Sequence, residues 1–149
     1  MRAFTGETFS QLFDRGDQLR LQGLNLSGCA FINCGLSLTE DIAQIAEIQD
    51  IQISDCTVSG CSVGPLVASD VTISDLSTDG LLILWNPYLR HVEMKGKMGR
   101  IKINATARPS TFENEKQKPF DDYRSGFYAD VDWALDISKA RFKEFDIDG

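Results

Sequence analysis

The sequence predicts an all-β fold, a solenoid of square coils with parallel strands, on three observations. The chain divides into five-residue blocks in which the first and third residues are usually apolar and the fifth is often Gly or Asp. The apolar positions Ile51, Ile53, Cys56, Val58, Cys61 and Val63 are spaced 2, 3, 2, 3 and 2 residues apart. Runs of such blocks begin at Ala46 and at Leu66, twenty residues apart.

Each block has a physical reading. From Leu19 the blocks are LRLQG, LNLSG, CAFIN and CGLSL; from Ala46 they are AEIQD, IQISD, CTVSG and CSVGP. From Leu66 they are LVASD, VTISD, LSTDG and LLILW, and from Leu135 LDISK, ARFKE and FDIDG. Residues one and three of an extended segment point to the same side and residue two to the other. Gly or Asp at position five suits a bend. The chain therefore makes a short edge and then a corner, and four edges close one coil. Successive coils stack as parallel strands about 4.8 Å apart, held by nearest-neighbour contacts. An amphipathic helix would need apolar residues at i, i+3, i+4 and i+7, which the 2, 3, 2, 3, 2 spacing does not supply.

LNLSG, CAFIN, CTVSG and FDIDG resemble the unit of the pentapeptide-repeat family, over about half the chain. That resemblance implies a right-handed quadrilateral parallel β-helix, here of about five coils. The sequence departs from the family in carrying Leu, Ile or Val at many first positions, and Asn or Asp at the second position only at Asn25, Asp136 and Asp146. The fourth coil, PYLRHVEMKGKMGRIKINA, has a four-residue face, so a three-sided β-helix is the alternative cross-section.

One domain spans 1–149, with a cap at 1–18, coils at 19–103, a long loop at 104–127 and a last coil at 128–149. TGETFSQLFDRG (5–16) reads as a short capping helix with Phe9, Leu12 and Phe13 on its apolar face and Gly16 as its stop. TEDIAQI (39–45) is a seven-residue excess, with Ser37 and Glu40 spaced as a capping box. Ile42 and Ile45 are placed to pack back on the coils. The 104–127 stretch is polar and charged, and long loops in compact domains are usually functional or disordered. Its tail holds Phe120, Tyr123, Phe127 and Tyr128, and the corner WNPYLRH lies one or two coils away. Those rings either pack together or form a surface for a partner. The final block is an open coil edge, which predicts a homodimer through the C-terminal coil.

The four cysteines form two Cys-x4-Cys pairs, 29/34 and 56/61, separated by a coil plus the seven-residue excess. Cys29 is expected on Cys56 and Cys34 on Cys61, as buried thiols packing like small hydrophobes. Zinc and a disulfide are the competing readings. Asp50 is expected to stack on Asp70 and Asp55 on Asp75, as solvated corners, a protein-binding stripe or a weak cation site. His91, the single histidine, reads as a structural or surface residue.

Net charge is −7, concentrated in residues 1–80, with 3 basic and 11 acidic side chains against 12 and 11 in 81–149. That disfavours nucleic acid as a partner. The sequence has no 18-residue apolar run and its first residues lack signal-peptide features, so a cytoplasmic protein without membrane contact is expected. No catalytic constellation, cofactor site or metal site is predicted. The expected function is a non-enzymatic protein-binding or scaffold module whose partner the sequence does not name. Its candidate contacts are Asp50, Asp55, Asp70, Asp75, Trp85, Tyr88, Arg108, Phe120, Tyr123 and Arg124. Two alternatives stand beside it. One is a DNA-mimic modulator of a topoisomerase or other DNA-binding enzyme, as the resemblance permits. It is short of charge, because B-DNA carries on the order of 14 charges over a five-coil height. The other is a carbohydrate-active β-helix enzyme.

Overall fold

A computed structural model describes residues 2–106 and 114–148. The described chain is mostly parallel β-sheet with one α-helix. The first layer is Arg2–Thr5 (β1) and Thr8–Ser10 (β2), and the next Arg20–Ser27 (β3), Ala30–Ile32 (β4) and Gly35–Leu36 (β5). Ala46–Ser54 (β6), Thr57–Ser59 (β7) and Ser62–Val63 (β8) follow, then Leu66–Ser74 (β9), Ser77–Asp79 (β10) and Leu81–Trp85 (β11). Tyr88–Asn104 (β12), the helix Asn114–Tyr128 (α1) and Leu135–Asp148 (β13) complete the order.

The strands stack in the register that the pentads require. β6 pairs β9 at an offset of twenty residues, Ile51 opposite Val71. β3 pairs β6 across the excess, Leu24 opposite Ile51. One curled sheet runs β1-β3-β6-β9-β12-β11-β8-β5, with β13 also on β12, and a four-stranded sheet runs β10-β7-β4-β2. β12 joins the two arms of the curled sheet because it pairs with β9 through Tyr88–Lys95 and with β11 through Arg100–Asn104. Position-one and position-three side chains fill the interior: Ile51, Leu66, Ala68, Val71 and Leu76 are all buried.

Corners repeat as columns of left-handed residues. Gly6, Gly28, Asp55, Asp75 and Gly96 form one column, and Gly23, Asp50, Asp70 and His91 a second, all at positive φ. Gln11, Asn33, Gly60 and Gly80 form a third. Left-handed backbone costs most residues energy and is taken most readily by Gly, Asn, Asp and His. That explains the residue at position five of nine of the pentads read from the sequence.

The cap helix expected at 5–16 is not there. Arg2–Gly6, Glu7–Gln11 and Leu12–Gly16 are three more pentads, RAFTG, ETFSQ and LFDRG, whose last residues all have positive φ. β1 pairs β3, β2 pairs β4, and Phe9 stacks on Phe31 with ring centroids 5.2 Å apart. The strand alternative wins because Phe4 and Phe9 each extend an inner column and the Gly6, Gln11 and Asp14 N–H groups donate to Ser27, Ile32 and Gly35 of the next layer.

The excess at 39–45 contains a short 3-10 turn, Ile42–Gln44, capped by Asp41, whose carboxylate accepts from the Ala43 N–H at 2.9 Å. Ser37 is not the cap. Its hydroxyl is buried, donates to the Pro65 carbonyl and accepts from the Ala46 N–H, while its own N–H donates to Asp14 at 3.1 Å. These bonds tie the two ends of the excess together, so the chain re-enters β6 in register.

The four cysteines are free. Cys29 and Cys56 are buried in the interior, in stacked positions, and Cys34 and Cys61 are half-buried in the next column. Burial pushes the Cys56 and Cys61 thiols up, as expected for packed rather than reactive sulfur. Among the described residues, no helix is long and apolar enough to cross a membrane.

A left-handed corner is tested at Asp55, which is exposed at φ 52. Asp55→Val is expected to lower stability by about 1–3 kcal/mol, and Asp55→Gly to change it by less than about 0.5 kcal/mol. Urea unfolding midpoints of the two variants check this.

Candidate functional site

Two clusters emerge on the coils, one beneath α1 and one beside the connection that follows it. The first is aromatic. Where a loop is expected at 104–127, α1 occupies Asn114–Tyr128, and the last coil begins at Leu135 rather than at 128. Pro119 lies inside α1 and removes a backbone donor there, so the helix depends on its tertiary contacts. Tyr88 and Phe120 are fully buried, and the Tyr88 hydroxyl donates to the Phe120 carbonyl at 2.8 Å. The Tyr123 ring lies 4.8 Å from that of Tyr88, and Phe127 5.8 Å from it. The Tyr128 hydroxyl accepts from the Leu89 N–H at 2.9 Å. Arg124 donates to the Ala105 carbonyl at 2.6 Å, and Arg90 places its guanidinium 4.9 Å from the centre of the Phe127 ring. Burial pushes the Tyr88 hydroxyl well above its ordinary value.

Of the candidate contacts, then, Tyr88 and Phe120 are internal anchors that no partner can reach, and Arg124 is occupied in holding α1 down. Tyr123 keeps a partly exposed ring at the edge of the cluster. Trp85 ends β11 opposite Asn104, half-buried. Arg108 lies outside the described residues.

The second cluster is an open groove of about 640 Å³ crossing successive layers. The corner column Gly23, Asp50, Asp70 and His91 forms one rail. The next outward residues, Gln52, Thr72 and Glu93, are themselves in register and form its floor. Trp133, 44% exposed, closes one end. Asp55 and Asp75 belong to a different corner, one edge away. Asp75 accepts from the Lys97 N–H at 2.8 Å, and Asp55 faces solvent. The four aspartates are thus two separate columns, and only Asp50 and Asp70 line the groove.

His91 organises the closed end. Nδ1 lies 3.3 Å from Asp70 Oδ1, and Nε2 lies 2.5 Å from Asp132 Oδ1. Its ring is 4.9 Å from that of Trp133, and its backbone N–H donates to the Trp133 carbonyl at 3.2 Å. A ring whose two nitrogens both face carboxylates satisfies them only by carrying both protons. The hydrogen bond to Asp132, then the one to Asp70, raises the His91 pKa, and the same contact lowers that of Asp132.

The sequence reading missed His91, Glu93, Asp132 and Trp133. His91 was hidden by one residue, because a further twenty-residue step from Asp50 and Asp70 lands on Arg90, whereas β12 pairs β9 at an offset of twenty-one. Asp132 and Trp133 reach the groove only through the length of α1, which the pentads do not report. Chemically, the groove offers three carboxylates, amides and a hydroxyl, which accept hydrogen bonds and balance positive charge. Among the described residues, no group of three or more His, Cys, Asp and Glu side chains is arranged to hold a metal ion. Compared with protein-family models and with curated proteins, the sequence finds no match.

The aromatic anchor is tested by Phe120→Ala, expected to cost about 3–5 kcal/mol and to detach α1. The check is loss of helical ellipticity together with a lower thermal midpoint, with the β signal retained.

Proposed function

We propose that this protein is a non-enzymatic binding module, built on a right-handed quadrilateral solenoid of the pentapeptide-repeat type, whose groove receives a basic helical segment of a partner protein. The five-residue corner columns support the quadrilateral reading. The observation that carries the function is the in-register pair of Asp50 and Asp70, with Glu93 from the neighbouring Gln52–Thr72 column, along one open groove.

Spacing selects the partner's form. Layers repeat at about 4.8 Å. An α-helix repeats one face every 5.4 Å, so two turns drift from two layers by about 1.2 Å, within reach of a flexible lysine. An extended segment returns to the same side every ~6.7 Å, and over two layers it drifts by roughly 4 Å. Net charge agrees in sign, since the half of the chain that contributes Asp50 and Asp70 carries most of the negative excess.

The test is a labelled 16-residue helical peptide with lysines at i, i+4 and i+7, followed by fluorescence anisotropy against a scrambled control. Binding is expected to weaken with salt. The Asp50→Asn, Asp70→Asn, Glu93→Gln triple variant is expected to lose affinity on the order of tenfold, at up to about 1 kcal/mol per exposed pair. Equal affinity of the triple variant would remove the reading.

A further inference from the structure

We infer that His91 is a proton-operated latch, which in its charged form holds Asp132 and Trp133 across the end of the groove and in its neutral form releases them. The inference rests on the groove being the binding surface, and it adds the regulation of that surface.

The geometry has three parts. First, the two ring nitrogens of His91 bridge two chain segments far apart in sequence: Asp70 at the corner after the first edge of β9, and Asp132 in the connection from α1 to β13. Neutral imidazole has one donor, so it cannot serve both carboxylates. Loss of the proton therefore breaks one side of the bridge and leaves a ring lone pair facing a carboxylate. Second, the closing residues are side chains at the surface. Asp132 is 75% exposed at its side chain, and Trp133 rests on the imidazole ring. Third, the backbone beneath is held separately, since the Val92 N–H donates to the Ala134 carbonyl at 3.0 Å. The latch can open without disturbing the register of β13 on β12.

The charged groups about the ring account for the direction. Asp70 comes from the coil below, and Asp132 from the connection beyond α1. Asp50 and Glu93 line the same groove, with the Lys139 ammonium of β13 4.0 Å from Glu93. Arg90, the neighbour of His91 in β12, directs its guanidinium over Phe127 of α1. Carboxylates thus dominate, and they raise the pKa of His91. The latch is fully closed below the ordinary imidazole value of about 6.5 and is lost as pH rises through the raised value in the folded protein. It is lost again in acid as pH falls through the lowered value of Asp132.

Opening makes the groove more negative by one unit. A lysine-bearing helix is therefore expected to bind more tightly above the His91 titration than below it, by about 2–5-fold, the size of one exposed charge pair. By linkage, the bound peptide lowers the His91 titration by the same factor.

His91 is the only histidine, so its ring protons report its charge without assignment work on the full chain. The expected result is a titration above the ordinary value, shifted to lower pH by Asp132→Asn and by a smaller amount by Asp70→Asn. In a Trp85→Phe background, Trp133 emission is expected to change with the same midpoint as the imidazole. An unshifted titration in Asp132→Asn, or Trp133 emission that does not follow His91, would overturn the latch. If the peptide fails to bind at any pH while the imidazole and Trp133 titrate together, the latch stands and the basic-helix reading falls. His91→Gly, which suits the left-handed corner, is expected to abolish the pH dependence of both Trp133 emission and peptide affinity, and a persistent dependence would also count against the latch.

Discussion

The fold depends on one backbone constraint, left-handed residues stacked in three corner columns. A residue at positive φ turns a short extended edge onto the next face, and three columns of such residues run through the layers up to Gly96. Gly, Asp and Asn tolerate that conformation at low cost, which is why they recur at the fifth position. Once corners are spaced by five, the first and third residues of every edge face inward and stack on their own kind in the next layer. Register follows from the corners, and the buried interior follows from the register.

The two largest departures from the twenty-residue coil are absorbed in different ways. Residues 39–45 leave and return through a polar knot of Asp14, Ser37 and the Pro65 carbonyl, whose hydrogen bonds satisfy buried groups that would otherwise be costly. The later departure carries α1 and is held by ring packing on Tyr88. Its return path brings Asp132 and Trp133 to the corner at His91. The groove is therefore a product of both the regular columns and the irregular excursion: the carboxylates come from stacked coils, and the closed end comes from the connection between α1 and β13.

The parts of this arrangement legible in the sequence are those that obey the pentad rule. The stacking of Ile51 on Val71 and of Cys29 on Cys56, and the corner aspartates, follow from counting. The first layer obeys the same rule, with Gly6, Gln11 and Gly16 at fifth positions, yet Phe9, Leu12 and Phe13 also satisfy a short helix. What separates the two readings is the partner strand, since Phe9 meets Phe31 only once β4 is in place. α1 was hidden for the opposite reason. Pro119 and a run of charged residues give Asn114–Tyr128 the look of a loop, and its helical state rests on buried Phe120 rather than on local propensity. His91 stood in a corner column but carried no local motif, and its meaning came from Asp132, forty-one residues away.

The most direct test of the central claim is an isotope-edited NOE spectrum of the full chain, reading backbone contacts between adjacent layers. Corner-set stacking predicts contacts between Ala30 and Thr57 and between Gly35 and Ser62, across the excess, and between Val58 and Thr78 at the plain coil repeat. Contacts of Ala30 with residues near Asp50 instead would place 39–45 inside the coil, and would contradict the account.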